Sequence, residues 1–321
     1  MQAILAVTVP FFALVLAGWL AARRGLLPAS AIPGLNAYVL YFALPCLLLR
    51  FGMGTPVLEL LNPWLLAIYL LCALLIVSFT IATSLNSRIG LKDASFGALV
   101  AAFPNTGFMG VPLLVALLGP TAAGPAICSI LADLFVTSSL CIALSQLHAP
   151  QQGARLAALR AVRGALANPL PWSIALGAAL SAAGLRLSGP IDTVVRMLAD
   201  SASPVALFSI GAVLWRAGLQ TQHHTRLIDY LPVALIKLFL HPLLVLVVGA
   251  AAQQLGAPVS AFQLMVLTLV AALPSASNAA LLAERFGADS GRVARIIMSS
   301  TLLAFASFSA LAWCLGIRPG G

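Results

Sequence analysis

Ten stretches of this chain are apolar for long enough to cross the roughly 30 Å of hydrocarbon in a bilayer. They run over 3–22, 33–53, 63–86, 93–118, 121–147, 169–185, 190–215, 228–252, 258–284 and 290–315. Turn-forming residues separate them: Arg23-Arg24-Gly25, Asn62-Pro63, Asn86-Ser87-Arg88, Gly119-Pro120, Asn168-Pro169, Gly189-Pro190 and Gly287-Ala288-Asp289. Only 8% of the 321 residues are charged and 61% are hydrophobic, where a soluble domain carries roughly a quarter charged residues. Such a chain cannot cover a water-facing surface. That excludes a soluble enzyme, a disordered chain and a nucleic-acid-binding protein, and leaves an integral membrane protein. The first run has no basic residue before it and Arg23 and Arg24 after it, so it reads as a spanning helix rather than a cleavable signal. Cys46, Cys72, Cys128, Cys141 and Cys314 all fall in apolar runs without paired spacing, which argues against disulfides and metal.

Charge asymmetry gives an orientation. With ten crossings, the odd-numbered connections carry 12 of the 17 basic residues, the even side carries 4, and Lys237 lies within a span. Basic residues collect in the cytoplasm, so both termini are expected outside, in a multi-pass protein of the inner membrane. The longest hydrophilic segment, 148–168, is a basic cytoplasmic linker or a short helix on the inner leaflet, with Arg155, Arg160 and Arg163 alternating with leucine and valine. It divides the chain into units of five crossings, 1–147 and 169–321.

The two units share a faint repeat. Pro45 and Gly52 in the second run match Pro204 and Gly211 in the seventh. The fourth run is interrupted by Pro104, Asn105, Thr106, Gly107, Gly110 and Pro112, and the ninth by Pro274, Ser275, Ser277 and Asn278. Five is odd, so the second unit must be inverted relative to the first. Inverted repeats with interrupted helices at matching positions point to a secondary transporter. The expected fold is all-α, with ten transmembrane helices and the broken fourth and ninth crossing.

The breaks have a physical meaning. Backbone groups left unpaired in hydrocarbon cost several kcal/mol each, so an unwound strip belongs where protein encloses it. Proline removes a donor, and glycine and asparagine loosen the helix. A broken helix offers amides at one end, suited to an anion, and carbonyls at the other, suited to a cation. Asn105, Thr106, Gly107, Pro274, Ser275, Ser277 and Asn278 are therefore the candidate substrate site. Pro104, Gly110 and Pro112 make the first break. Packing kinks without a ligand are the alternative.

The segments Asn105–Leu113 (NTGFMGVPL), Leu273–Ala279 (LPSASNA) and Ala43–Pro45 (ALP) resemble the auxin efflux carrier family, which includes bacterial malonate-transporter-like proteins. The resemblance extends over the whole chain in length and helix count. It implies a fold like the bile-acid/sodium symporters, a scaffold of helices 1, 2, 6 and 7, and a transport domain of helices 3–5 and 8–10. It also implies a homodimer and an elevator-type movement. This chain lacks the long central loop of the plant exporters and reads Asn278-Ala279-Ala280 where they carry a further proline, which points away from auxin itself.

Three ionisable residues fall within spans, where such groups are functional candidates. Asp133 lies mid-way along the fifth, and Lys237 and His241 share one face of the eighth. Asp133 could pair with Lys237, a fixed ammonium then replacing a bound cation, or Asp133 or His241 could take up a driving proton. The bland readings are a structural pair, a snorkelling lysine, and a histidine capping the carbonyl freed by Pro242. Tryptophans near the ends of spans suit an interfacial belt. The residues fit best a secondary transporter of a small organic anion, a mono- or dicarboxylate. The alternative is a cation/proton antiporter or a sodium-coupled symporter of another solute. No cofactor is expected beyond a coupling proton or sodium ion. No hydrolase or metalloprotease pattern is present.

Overall fold

The computed structural model describes residues 1–54, 62–147, 163, 166–220 and 226–317. Most of the linker, including Arg155 and Arg160, lies outside these residues, as does Arg318. The described chain is helical, with a single isolated β-bridge. Its helices are α1 (Gln2–Arg23), α2 (Ala29–Gly54), α3 (Pro63–Ser84), α4 (Leu91–Ala102), α5 (Thr106–Leu118), α6 (Pro120–Ser145), α7 (Pro169–Ala182), α8 (Gly189–Gln220), α9 (Leu227–Gln254), α10 (Ala261–Ala271), α11 (Ala279–Arg285) and α12 (Ser290–Cys314).

Every expected apolar run is largely helical, but among the described residues seven helices rather than ten are long and apolar enough by themselves to cross a membrane. The fourth run is split into α4 and α5, the ninth into α10 and α11, and α7 has only 14 residues. At 1.5 Å per residue α7 spans about 21 Å.

Local sequence explains where the helices start and loosen. Asn62 accepts from the amides of Trp64 and Leu65 ahead of Pro63, Asn168 accepts from Leu170 ahead of Pro169, and Ser260 forms a capping box with Gln263. Four helices contain a π-turn: Val39–Ala43, Thr106–Gly110, Asp133–Thr137 and Ile236–Leu240. Three are followed two residues later by a proline (Pro45, Pro112, Pro242), whose missing amide and crowded ring displace the hydrogen-bond ladder. The fourth begins at Asp133 with no proline to cause it.

Helices α1, α2, α7 and α8 pack on one another, α3, α4, α6, α9, α10, α11 and α12 form a second set, and α5 packs on α6 of the second set and on α1 and α8 of the first. Within the second set every residue of α4 from Ala94 to Ala102 is buried. Protein therefore encloses the unwound strips, as the cost of bare peptide groups requires.

Two close helix crossings define the first set. A Cβ on Gly18 would lie 1.8 Å from the Phe208 carbonyl oxygen, and one on Gly211 would lie 1.9 Å from that of Val15 and 2.7 Å from the Trp19 amide. At the second crossing, Gly177 would meet the Leu49 carbonyl at 2.3 Å, and Gly52 the Ile174 carbonyl at 2.7 Å and the Ala178 amide at 3.2 Å. Each residue of one crossing is that of the other displaced by 159 positions: 18 to 177, 52 to 211, 49 to 208, 15 to 174 and 19 to 178. Small residues permit such backbone approach where the hydrophobic effect cannot drive helices together.

Candidate substrate site at the crossing of two broken helices

Helix α4 ends at Ala102 because Pro104 has no amide for the next turn. Helix α10 ends at Ala271 for the same reason, at Pro274. The two strips then meet as antiparallel backbone, with Pro104 bridged to Ser275. The Asn105 amide donates to the Pro274 carbonyl at 2.8 Å, and the Ala276 amide to the Phe103 carbonyl at 3.0 Å. Each break thus satisfies groups that the other leaves open. Ser275 locks the crossing: its hydroxyl donates to the Val100 carbonyl at 2.6 Å, and its amide donates to the Ser300 hydroxyl at 3.2 Å. Beyond the crossing the Asn105 carbonyl accepts from the amides of Met109 and Gly110, which restarts the helix as a π-turn.

Sequence-expected residues divide by environment. Pro104, Asn105, Thr106, Gly110, Pro274 and Ser275 are buried, and Gly107, Pro112, Ser277 and Asn278 are half-buried. The Thr106 hydroxyl and the Asn278 Oδ1 are buried atoms without a hydrogen-bond partner. Eight other buried side-chain atoms among the described residues are equally open, so these two are free to take a water or a ligand without being singled out by that alone. Gly107 has open space where a Cβ would project, whereas at Gly110 a Cβ would lie 2.4 Å from a Leu273 methyl.

Ser277 and Asn278 line a cavity of about 850 Å³, together with Phe103 and Phe108 from the first break. Asn36 and Tyr41 of α2, Ser138 of α6 and Val213 of α8 line it as well, so it lies between the two helix sets. Among the described residues, Arg163, Arg216 and Arg285 also line it, against a single carboxylate, Glu284.

Asp133, Lys237 and His241 are fully buried and lie in one cluster beside the crossing. Lys237 is not a snorkelling side chain: its ammonium donates to the Ala271 carbonyl at 2.5 Å and lies 3.3 Å from His241 Nδ1. The Asp133 carboxylate is within electrostatic reach of Lys237 but takes its hydrogen bond from the Tyr69 hydroxyl, at 2.7 Å. The Tyr69 and His241 rings lie 5.9 Å apart.

Sequence reasoning missed Tyr69, Ser300 and the three cavity arginines. Tyr69 could have been flagged, since a tyrosine deep in an apolar run needs a partner for its hydroxyl. No local pattern marks Ser300, whose role arises only from a contact 25 residues away.

Membrane-length apolar helices around two helices that break where they meet describe a multi-pass membrane protein. The model of the membrane transport protein family matches residues 3–313, and the chain belongs to that family, the auxin efflux carrier family of the sequence resemblance. It is 28% identical to the "Putative malonate transporter" of Rhizobium meliloti (strain 1021) over 324 residues, covering 100% of this chain and 98% of the relative. It is 26% identical to the "Uncharacterized transporter YfdV" of Escherichia coli (strain K12) over 197 residues, covering 60% of this chain and 59% of that one. These relatives are named as transporters, not enzymes, and the protein is a multi-pass membrane transporter that works in a bilayer on a small substrate.

Proposed function

We propose that the protein carries a small mono- or dicarboxylate, malonate-like in size and charge, bound where α4–α5 crosses α10–α11. The observation that carries this reading is one cavity lined both by Ser277 and Asn278 of the crossing and by three arginines. Its volume suits a small ligand. Hydroxyl and amide groups can bind a carboxylate without a fixed countercharge at the crossing itself. The arginines raise the local concentration of anions. The malonate transporter named among the relatives agrees with this substrate class.

The architecture we propose is two inverted five-helix repeats with ten crossings, both split helices and the short α7 included. Support comes from the glycine crossings, whose atoms correspond one for one under a shift of 159 positions. The scaffold is α1, α2, α7 and α8; the remaining helices move as the transport domain in an elevator cycle. The cavity between the two sets is the inward-facing route, because its arginines lie on the basic, cytoplasmic side of the charge asymmetry. Both termini are then outside the inner membrane, and the scaffold supplies the homodimer contact.

Proteoliposome uptake of radiolabelled malonate tests the site. Asn105→Ala and Asn278→Ala should each lower uptake about ten- to a hundredfold, the loss of one or two hydrogen bonds to a charged ligand. Wild-type uptake by either variant, with its unfolding temperature unchanged, would remove that residue from the site.

A further inference from the structure

The three arginines of the cavity are not equivalent. Arg216 belongs to α8 of the first helix set and Arg163 precedes α7, whereas Arg285 ends α11, which packs on α4 and α12 of the second set. Arg285 thus sits on the same body as the crossing. Asn278 is the N-cap of α11, and its carbonyl accepts from the Leu282 amide at 3.3 Å, so the helical register runs from Asn278. Asn278, Leu282 and Arg285 stand at i, i+4 and i+7, which is one helix face, and all three line the cavity. Seven residues at 1.5 Å each put Arg285 about 10.5 Å beyond Asn278 along the axis. Long helical side chains lean toward the N-terminus of their own helix, which here is toward Asn278. An arginine closes up to about 6 Å of that gap, and the remainder is the length of a few bonded carbons.

The face has three zones. At one end are the hydroxyl of Ser277 and the carboxamide of Asn278, in the middle the apolar Leu282, and at the far end the guanidinium of Arg285; Phe103 and Phe108 add apolar wall. A guanidinium fork matches a carboxylate with two parallel hydrogen bonds. Polar, apolar and cationic zones in that order fit a short hydrocarbon with an acid at each end. Glu284 adjoins Arg285 in sequence, but successive residues of a helix do not face each other, and among the described residues no hydrogen bond or ion pair occupies the Arg285 side chain. In the elevator cycle proposed above, α11 travels with the crossing, so the spacing of Asn278 and Arg285 stays fixed. The distances from both to Arg216 and Arg163 change with every half-cycle.

We propose that Arg285 is a specificity-determining residue: it holds the second carboxylate of a short dicarboxylate whose first carboxylate lies on Ser277 and Asn278, two helical turns away. The inference rests on the carboxylate reading above and narrows it from mono- or dicarboxylates to dicarboxylates.

The test compares malonate with malonamate, in which a carboxamide of nearly the same shape replaces one carboxylate, at about pH 8, where both acids of malonate are ionised. In proteoliposomes the wild type should take up malonate about ten- to a hundredfold better than malonamate, the value of a charge-assisted bidentate contact. Arg285→Gln should bring that ratio to within about threefold of one, and Arg285→Lys, which keeps the charge without the fork, to an intermediate value. Arg216→Gln should lower both uptakes together and keep the ratio within about threefold of wild type, since that arginine only attracts anions. Arg285 is exposed, so its variants should fold, and their unfolding temperatures check this. An arginine in the last turn also suits the helix dipole, but a purely structural role would leave the malonate-to-malonamate ratio unchanged. Without transport, malonate should raise the unfolding temperature of the purified full chain more than malonamate does, a difference lost in Arg285→Gln. A wild-type ratio near one would overturn the proposal and leave the carboxylate reading standing. So would an unchanged ratio in Arg285→Gln, or a ratio abolished by Arg216→Gln instead. If the wild type takes up neither anion, the carboxylate reading fails and the role of Arg285 fails with it.

Discussion

Gly211→Val is expected to give no folded, monodisperse protein. The first side-chain carbon at this position would lie 1.9 Å from the Val15 carbonyl oxygen and 2.7 Å from the Trp19 amide, both backbone atoms of α1. Backbone inside a packed helix pair cannot step aside, so α1 and α8 would have to separate along their contact. Overpacking of flexible side chains costs about 1–3 kcal/mol, and a backbone clash exceeds that. Gly18→Val should be as damaging, Gly177→Val next and Gly52→Val mildest, following distances of 1.8, 2.3 and 2.7 Å. Gly34→Ala is the contrast: nothing lies within 4 Å of its Cβ position, and it sits inside α2. It should be neutral or more stable by up to about 1 kcal/mol, the helix-propensity gain. Size-exclusion profiles and unfolding temperatures read out the series. A wild-type unfolding temperature for Gly211→Val would mean that the two helices do not approach so closely.

Arg292→Leu should be the most costly polar substitution. The side chain is buried with 2% of its surface exposed. Its Nε donates to the Asp229 carbonyl at 2.7 Å and a terminal nitrogen to the Asp93 carbonyl at 2.8 Å, and the other approaches the Ser84 hydroxyl at 3.5 Å. It thereby ties the starts of α4, α9 and α12 to the end of α3. Asp289 completes the knot, capping α12 through the Arg292 amide at 2.8 Å while its own amide donates to Asp93. Leucine would leave two carbonyls without their donor, at about 1–3 kcal/mol each. The knot also explains Gly97 in the middle of α4, where a Cβ would lie 2.8 Å from the guanidinium. Gly97→Ala should therefore cost stability in wild type and less in the Arg292→Ala background. A double-mutant cycle on denaturation midpoints measures that coupling, and additive effects would argue against the packing described.

Membrane insertion, the helices and the two breaks were legible in the chain itself. Apolar length and Pro-Asn-Thr-Gly spacing act locally, and hydrocarbon leaves the backbone few alternatives to a helix. The repeat we propose left a trace in Pro45 and Pro204, whereas half of its best support, Gly18 and Gly177, carried no signal in the chain. A glycine in a membrane helix has meaning only once the facing backbone is known. Within the buried cluster, Asp133, Lys237 and His241 declared themselves by charge. Their hydrogen-bond partners did not: an Asp133–Lys237 pair was one of several readings, and in the structure Tyr69 gives the carboxylate its hydrogen bond and a freed helix carbonyl accepts the ammonium's.

The order of residues by itself determined that this polypeptide lives in lipid, where its helices loosen, and which side chains are too costly to bury without purpose. Only the folded arrangement decided that the two loosened strips satisfy each other, that arginines from distant segments share one cavity with them, and which donor caps which carbonyl. Those outcomes depend on contacts from 34 positions apart, for Lys237 and Ala271, to 175, for Ser275 and Val100, and a hydrogen bond across such a distance leaves no periodic trace along the chain.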